Sequence, residues 1–84
     1  MRFVVEQRHL TDVSGRPIKE ANAVSFHTVE AENVDDVIRN HTLQESAELL
    51  GDVVKFPGFQ AVATLRTTGG VYTLQVTPAS QHPR

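Results

Sequence analysis

Hydrophobic and polar residues alternate most clearly over residues 61–77, where two runs flank the dipeptide Gly69-Gly70. Alternation with a period of two is typical of a β-strand with one buried face, and two glycines between such runs are typical of a tight hairpin turn. With the glycines as the turn, the apolar side chains of both strands lie on one face, which favours a single register. The predicted pairs are Thr68 with Val71, Thr67 with Tyr72, Leu65 with Leu74, and Ala63 with Val76.

Two more strands are predicted in the first part of the chain. Residues 2–10 contain Phe and Val residues that favour β-structure, and residues 23–31 alternate between apolar and polar positions. Residues 11–20 separate these runs and contain Gly and Pro, which are typical of a loop. We expect the two strands to pair in antiparallel fashion, with Val24 and Phe26 facing the core.

The segment between the two strand regions is predicted to be helical. Asn33 is a favourable N-cap residue, and Asp35 and Asp36 follow in the first turn, where carboxylates interact well with the helix dipole. The apolar stripe along this segment breaks at residues 40–42. The segment is therefore predicted to form either two short helices bent at this point or one kinked helix, ending at Gly51.

These elements predict an α+β domain of order ββ-α-ββ over residues 1–77, in which one helix, kinked or not, packs on one face of an antiparallel sheet. Residues 52–56 could form a further short strand. Residues 78–84 offer no apolar anchor, so we expect a disordered tail. The predicted core consists of Phe3, Val5, Val24, Phe26, Val34, Val37, Ile38, Leu50, Leu65, Tyr72, Leu74 and Val76.

The composition of the chain indicates a small single domain and disfavours a secreted or membrane-spanning protein. A chain of 84 residues with 39% hydrophobic residues can bury one small core, and a core this lean favours self-association. Without cysteine the chain has no disulfide, no thiolate nucleophile and no cysteine-based zinc site. The apolar run near the amino terminus is too short for a signal peptide, and no later run is long enough to span a membrane. We therefore expect a cytoplasmic protein without a membrane partner.

Charge is distributed unevenly along the chain. Residues 30–52 contain seven acidic residues and one basic residue, Arg39, so this segment carries −6 and the remaining residues carry +4. Most acidic runs are solvated helix faces, although this asymmetry could also orient a basic protein or a second copy of the chain. A nucleic-acid partner is not expected, because it would need a convergent basic surface. The residues that would have to form that surface are Arg2, Arg8, Lys55 and Arg66.

The side chains expected to titrate near neutral pH are the four histidines, His9, His27, His41 and His82. None of them has the i, i+2 or i, i+4 spacing of a metal site within one element, and no serine lies in a nucleophile elbow. The sequence therefore predicts no catalytic residue, no metal site and no cofactor. A polar site around His27, His41 and the pair Glu30/Glu32 is a hypothesis, with each histidine more simply explained as a structural or surface residue.

Phe56 and Phe59 enclose a Pro-Gly pair, which predicts a type II turn. Two aromatic side chains at a turn either close the end of a small core or form an exposed anchor for a partner, and the first interpretation is favoured. The turn and the polar face of the last hairpin together form the predicted interaction surface. Its residues are Phe56, Phe59, Thr64, Arg66, Thr73 and Gln75.

The residue patterns of the chain predict its fold more clearly than its function. We expect a small non-enzymatic protein-interaction module that forms a homodimer and binds through a sheet edge or the acidic helix. The partner would be a second copy of the chain or another protein. The alternative is a small ligand-binding or enzymatic subunit whose site forms between protomers around His27, His41, Glu30 and Glu32.

Overall fold

A computed structural model describes residues 1–18 and 24–81 of the chain. Within these residues, five strands form one antiparallel sheet, and one helix packs against one face of it. This arrangement confirms the predicted α+β fold, with three strands rather than two after the helix. The elements are β1 (Arg2–His9), β2 (Val24–Glu30), α1 (Val34–Gln44), β3 (Glu48–Phe56), β4 (Gln60–Thr67), β5 (Gly70–Pro78) and a 3₁₀ turn at Ala79–Gln81.

The order of the strands in the sheet is β2-β1-β5-β4-β3. The first and last strands of the chain therefore meet in the centre, where β1 pairs with β5, while β2 and β3 form the two edges. Short turns connect β3 to β4 and β4 to β5, as is usual for antiparallel neighbours. Helix α1 connects β2 at one edge to β3 at the other and packs mainly on β4 and β5.

The β4–β5 hairpin differs by two residues from the predicted register. Thr67 pairs with Gly70, so Thr68 and Gly69 form the turn. The prediction that both glycines form the turn is therefore wrong. A shift of two residues keeps every side chain on its predicted face, because the side-chain period of a strand is also two.

Gly70 occupies the first position of β5 because the neighbouring loop leaves no room for a side chain there. Its φ is +121°, and a Cβ atom at this position would collide with the carbonyl oxygen of Thr11. The amides of Leu10 and Thr11 donate hydrogen bonds to the carbonyl of Val71, and the Val71 amide donates to Thr11 Oγ1. The start of β5 is thus fixed by residues 10–18 as well as by the turn.

The predicted loop at residues 11–20 is a loop over its described part, residues 11–18. Asp12 organises this loop, since its Oδ1 atom accepts hydrogen bonds from the amides of Ser14 and Arg16 and from the Ser14 hydroxyl. These bonds, above all the one from the Ser14 side chain, hold the pKa of Asp12 below its ordinary value because they stabilise the carboxylate.

Helix α1 begins as predicted and ends earlier than predicted. The Asn33 side chain accepts a hydrogen bond from the amide of Asp36 at 2.9 Å, which confirms the N-cap. After the helix Ser46 adopts a positive φ of 50°, and residues from Glu48 onward pair with β4. The predicted helical structure up to Gly51 is therefore wrong. Gly51 lies within β3, next to an irregularity in the strand register.

The core lies between the sheet and α1. Its buried apolar residues are Phe3, Val5, Val34, Val37, Ile38, Ala61, Ala63, Leu65, Tyr72, Leu74 and Val76. Every predicted core residue is among them except Val24, Phe26 and Leu50. Leu50 pairs with Thr64 on the outer side of the sheet, where it is half-buried. Ala61 and Ala63 contribute instead from β4, on the side that faces α1.

The predicted orientation of β2 is reversed in the structure. The register between β1 and β2 pairs Val5 with His27, so His27 and Val29 face the helix side of the sheet. Val24 and Phe26 consequently point outward, and Phe26 is 58% exposed. Both faces of this strand carry a valine, so the alternation of residues does not decide which face is buried.

The last described residues of the chain lie beside β1. Pro78 closes β5 opposite Phe3 and is fully buried, and Ala79–Gln81 form the 3₁₀ turn. The tail predicted to be disordered from residue 78 therefore begins with a buried strand residue, because Pro78 packs within the sheet. The rest of that prediction concerns residues 82–84, which lie outside the described residues.

Candidate functional site

The face of the sheet opposite α1 is not covered by any described element. A helix is about 10 Å wide and five strands spaced about 4.8 Å apart span about 24 Å, so one helix covers part of one face and none of the other. We call the uncovered side the open face. Its residues are Arg2, Val4, Glu6 and Arg8 of β1; Val24, Phe26, Thr28 and Glu30 of β2; Glu48, Leu50, Val54 and Phe56 of β3; Gln60, Val62, Thr64 and Arg66 of β4; and Val71, Thr73, Gln75 and Thr77 of β5.

The open face is apolar at both flanks and polar in the middle. Phe26 is 58% exposed on the β2 flank, and Val54 and Phe56 are 53% and 49% exposed on the β3 flank. Between the flanks, Thr73 and Gln75 of β5 present a hydroxyl and an amide. Large exposed apolar side chains rimmed or separated by polar groups are typical of surfaces that contact another protein.

The residues predicted for an interaction surface lie mostly on the open face. Five of them share it: Phe56, Thr64, Arg66, Thr73 and Gln75. The sixth, Phe59, lies in the turn between β3 and β4. The difference in hairpin register does not disturb this grouping, because a shift of two residues leaves each side chain on the same face.

The turn between β3 and β4 exposes both of its aromatic side chains. Phe56 lies on the face that α1 does not cover, and Phe59 is 59% exposed, so the predicted role of this pair as a plug for the core is wrong. Gly58 has a φ of +84°, as the predicted type II turn requires. Phe59 has a φ of +60°, which costs a residue with a side chain about 1 kcal/mol. The turn therefore presents Phe59 to solvent.

The charged groups of the open face are paired within the chain. The pairs are Arg66–Glu48 (2.7 Å), Arg8–Glu6 (3.1 Å), Arg2–Glu30 (3.2 Å) and, on the helix side of the sheet, Lys55–Asp35 (2.8 Å). The four cations considered for a nucleic-acid surface thus each contact a carboxylate, and they lie on both sides of the sheet. Exposed pairs contribute little to stability, but they leave the open face close to neutral.

Four rings lie in a row on the helix side of the sheet. We call them the ring row: His27 of β2, His41 of α1, Tyr72 of β5 and His9 of β1. The ring centroids are 6.1 Å apart for His27 and His41, 5.8 Å for His41 and Tyr72, and 5.4 Å for Tyr72 and His9. Three of the four histidines of the chain and its single tyrosine are thereby brought together.

The buried pair His41–Tyr72 forms the centre of the ring row. His41 Nε2 and the Tyr72 hydroxyl share a hydrogen bond of 3.0 Å, and His41 is only 8% exposed. Burial lowers the pKa of His41 below its ordinary value, Glu45 opposes this effect and His27 adds to it. Burial also raises the pKa of Tyr72, and Glu45 raises it further. Both side chains are therefore uncharged at neutral pH.

A cleft of about 130 Å³ opens beside the ring row, between β2 and α1. We call it the histidine cleft. Its lining residues are Val5, His27, Val29, Glu30, Ala31, Val37, Asn40, His41 and Gln44. Apolar walls are thus combined with two imidazoles, two amides and one carboxylate, an arrangement that can hold a small molecule by packing and hydrogen bonds.

The structure brings together three of the four residues predicted for a polar site. His27, His41 and Glu30 line the histidine cleft within one chain, whereas Glu32 is exposed and is not part of the lining. The Glu30 carboxylate contacts Arg2 and, at 3.7 Å, the amino-terminal ammonium group. Among the described residues, no three His, Asp or Glu side chains are grouped closely enough to hold a metal ion.

A second groove, on the β3 side of α1, has a mainly apolar surface, with Asp35, Arg39 and Thr42 also among its lining residues. Its volume is about 320 Å³, and its lining includes Ile38, Leu43, Leu49 and Val53. It exists because α1 is narrower than the sheet and leaves the edge strand partly uncovered. This groove is a second apolar surface through which two copies of the chain could associate. A test of association through the open face therefore needs a control variant in this groove.

Sequence reasoning identified half of the ring row and missed the other half. The alternation of Tyr72 with Leu74 and Val76 predicts a core position, which is correct but says nothing about the Tyr72 hydroxyl. The partner of that hydroxyl, His41, lies 31 positions earlier in the chain. His9 joins the row only because β1 pairs with β5, and no local pattern encodes that long-range pairing.

Comparison of the chain with protein-family models, with curated proteins and with solved structures finds no match. Within residues 1–18 and 24–81, no helix has the length and apolar character needed to cross a membrane.

Proposed function

We propose that this protein is a non-enzymatic interaction module that forms a homodimer through the open face. The observation that carries the proposal is the exposure of Phe26, Val54 and Phe56 on a side of the sheet that no described element covers. Removing apolar surface of this kind from water stabilises an interface by about 25 cal/mol for each Å² buried. A second copy of the chain supplies the same surface in return.

The area of the open face is sufficient for a small homodimer. Five strands about 4.8 Å apart, each about seven residues long at about 3.3 Å per residue, give a face of roughly 550 Å² per copy. Two copies together would bury about 1,100 Å², just above the roughly 1,000 Å² that a specific interface needs. We therefore expect a dimer that dissociates on dilution.

The distribution of side chains also favours a second copy as the partner. Packing about a twofold axis parallel to the strands would set the β2 flank of one copy against the β3 flank of the other. Phe26 would then meet Val54 and Phe56 of the second copy, and this contact would occur twice. Because the charges of the face are paired within each chain, the two copies would not repel each other.

Light scattering across a concentration series tests the proposal, with Phe26→Asp as the disrupting variant. An aspartate in the interface would be desolvated without a partner, so we expect the dimer to weaken at least about tenfold. Leu43→Asp is the matched control, because Leu43 is 72% exposed and lies on the helix side of the sheet. This control is expected to keep the mass of the unmodified chain.

Two results would contradict the proposal. One is an unmodified chain that stays monomeric at every concentration. The other is a dimer that survives Phe26→Asp and is lost in Leu43→Asp, which would place the contact in the apolar groove beside α1.

A further inference from the structure

We propose that the histidine cleft binds a small uncharged ring compound that carries a carboxamide or an equivalent pair of hydrogen-bond donor and acceptor. The cleft lies on the helix side of the sheet, opposite the open face. The proposal rests on the size of the cleft, on its polar groups and on the charges around it. None of these depends on self-association.

The size and walls of the cleft fit a single ring. Its volume of about 130 Å³ is close to the roughly 150 Å³ of an apolar cavity that holds benzene. Val29 and Ala31 are half-buried and supply apolar surface against which a ring can pack, whereas Val5 and Val37, which also line the cleft, are buried in the core. The rings of His27 and His41 form the end of the cleft nearest the ring row.

The polar groups of the cleft match a carboxamide. Asn40 and Gln44 lie one turn apart on α1, so their side chains are neighbours on the same helix surface. Each amide offers both a donor and an acceptor, and neither is hydrogen-bonded to another side chain or backbone group in the part of the chain that the structure describes. A ligand carboxamide can therefore donate a hydrogen bond to one of these amides and accept one from the other, so that losing either amide removes one bond.

The charges around the cleft disfavour an ion. The cleft adjoins the carboxyl-terminal turns of α1, where the helix dipole is negative, and Glu45 follows directly, so an anion would be repelled. Glu30 at the rim already contacts Arg2 and the amino terminus, which reduces its attraction for a cation. His41 is held in its neutral form by burial. An uncharged ligand avoids each of these costs.

An NMR titration with benzamide, benzoate and benzylamine tests the proposal, because these probes have similar shapes and different charges. For a ligand of this size we expect benzamide to bind with a Kd of about 1 mM. Saturable shifts of the His27 and His41 ring protons are expected. The affinity for benzamide should exceed that for either charged probe at least fivefold.

The variant Gln44→Leu removes an amide while keeping the size of an exposed side chain, so the fold is retained. We expect it to weaken benzamide binding at least about fivefold, the effect of one lost hydrogen bond. Gln75→Leu on the open face is the matched control and should leave the Kd unchanged. The proposal is overturned by the absence of saturable shifts, by equal affinity for the three probes, or by unchanged binding in Gln44→Leu.

Discussion

At the scale of single residues, the pair His41–Tyr72 explains how a small apolar core holds polar groups. Each side chain supplies the hydrogen-bond partner that the other needs, and no buried side-chain nitrogen or oxygen among the described residues lacks a partner. Burying these groups without such a bond would cost about 1–3 kcal/mol for each group. The pair is therefore compatible with the apolar residues around it as long as His41 stays neutral.

We predict that the free energy of unfolding decreases as the pH falls below about 6.5, the pKa of an ordinary histidine. The pKa of His41 is lower in the folded protein because the side chain is buried. The unfolded chain therefore binds more protons over the interval between the two values, and acidification favours unfolding. Urea denaturation at a series of pH values measures this effect.

The variant His41→Gln provides the control for the pH dependence. Of the charged or titratable groups that influence His41, Glu45 favours its protonation and His27 opposes it, and both are kept in the variant. We expect a shallower loss of stability on acidification in His41→Gln. An identical slope in the two proteins would show that another group is responsible.

At the scale of secondary-structure elements, the β4–β5 hairpin is positioned by contacts outside the hairpin. The turn residues Thr68 and Gly69 are exposed, whereas Gly70 is placed against the Thr11 carbonyl. The loop that contains Thr11 also supplies hydrogen bonds to both backbone groups of Val71. Loop and hairpin therefore depend on each other.

We predict that Gly70→Ala destabilises the protein by about 2 kcal/mol or more, because an alanine would be strained at this φ and its methyl group would displace the loop. Gly69→Ala is the matched control, since a Cβ there would meet only Thr67 Oγ1 at 3.5 Å. Chemical denaturation of both variants measures the difference. Equal stabilities would mean that the loop does not dock on β5 in this way.

The pattern of hydrophobic and polar residues predicts most helices and strands. It does not predict which face of a strand is buried when both faces carry apolar residues. The N-cap at Asn33 and the buried faces of β1, β4 and β5 follow from local signals. The face of β2 does not, because Val24 and Val29 lie on opposite sides and only pairing with β1 decides between them. The hairpin register likewise depends on the space beside Gly70, which the sequence does not display.

The candidate sites, like the fold, were predictable only where they depend on local sequence. Alternation along β4 and β5 predicted the polar side of the open face correctly, because that property is local to each strand. The prediction does not include Phe26 in the open face, because it places Phe26 in the core and the structure turns that side of β2 outward. In the ring row, the hypothesis of a polar site includes His27 and His41, whereas Tyr72 and His9 join them through tertiary structure alone.

At the scale of the whole molecule, the helix and the five strands of the described residues produce two sides of different character. The helix side contains the core and, because α1 is narrower than the sheet, two grooves beside the helix. The other side is the open face, with apolar flanks and paired charges. This separation is the reason why self-association and ligand binding are proposed for different surfaces and can be tested independently.

The central claim is that two copies of the chain pack through the open face, and a cross-linking measurement tests it most directly. Because the chain contains no cysteine, Thr73→Cys places a unique thiol on the central strand of that face. A bifunctional maleimide that spans about 10 Å, the distance between packed sheets, should then link two copies in high yield. Leu43→Cys, on the helix side, should give little product. Efficient linkage through Leu43→Cys and none through Thr73→Cys would contradict the proposed dimer.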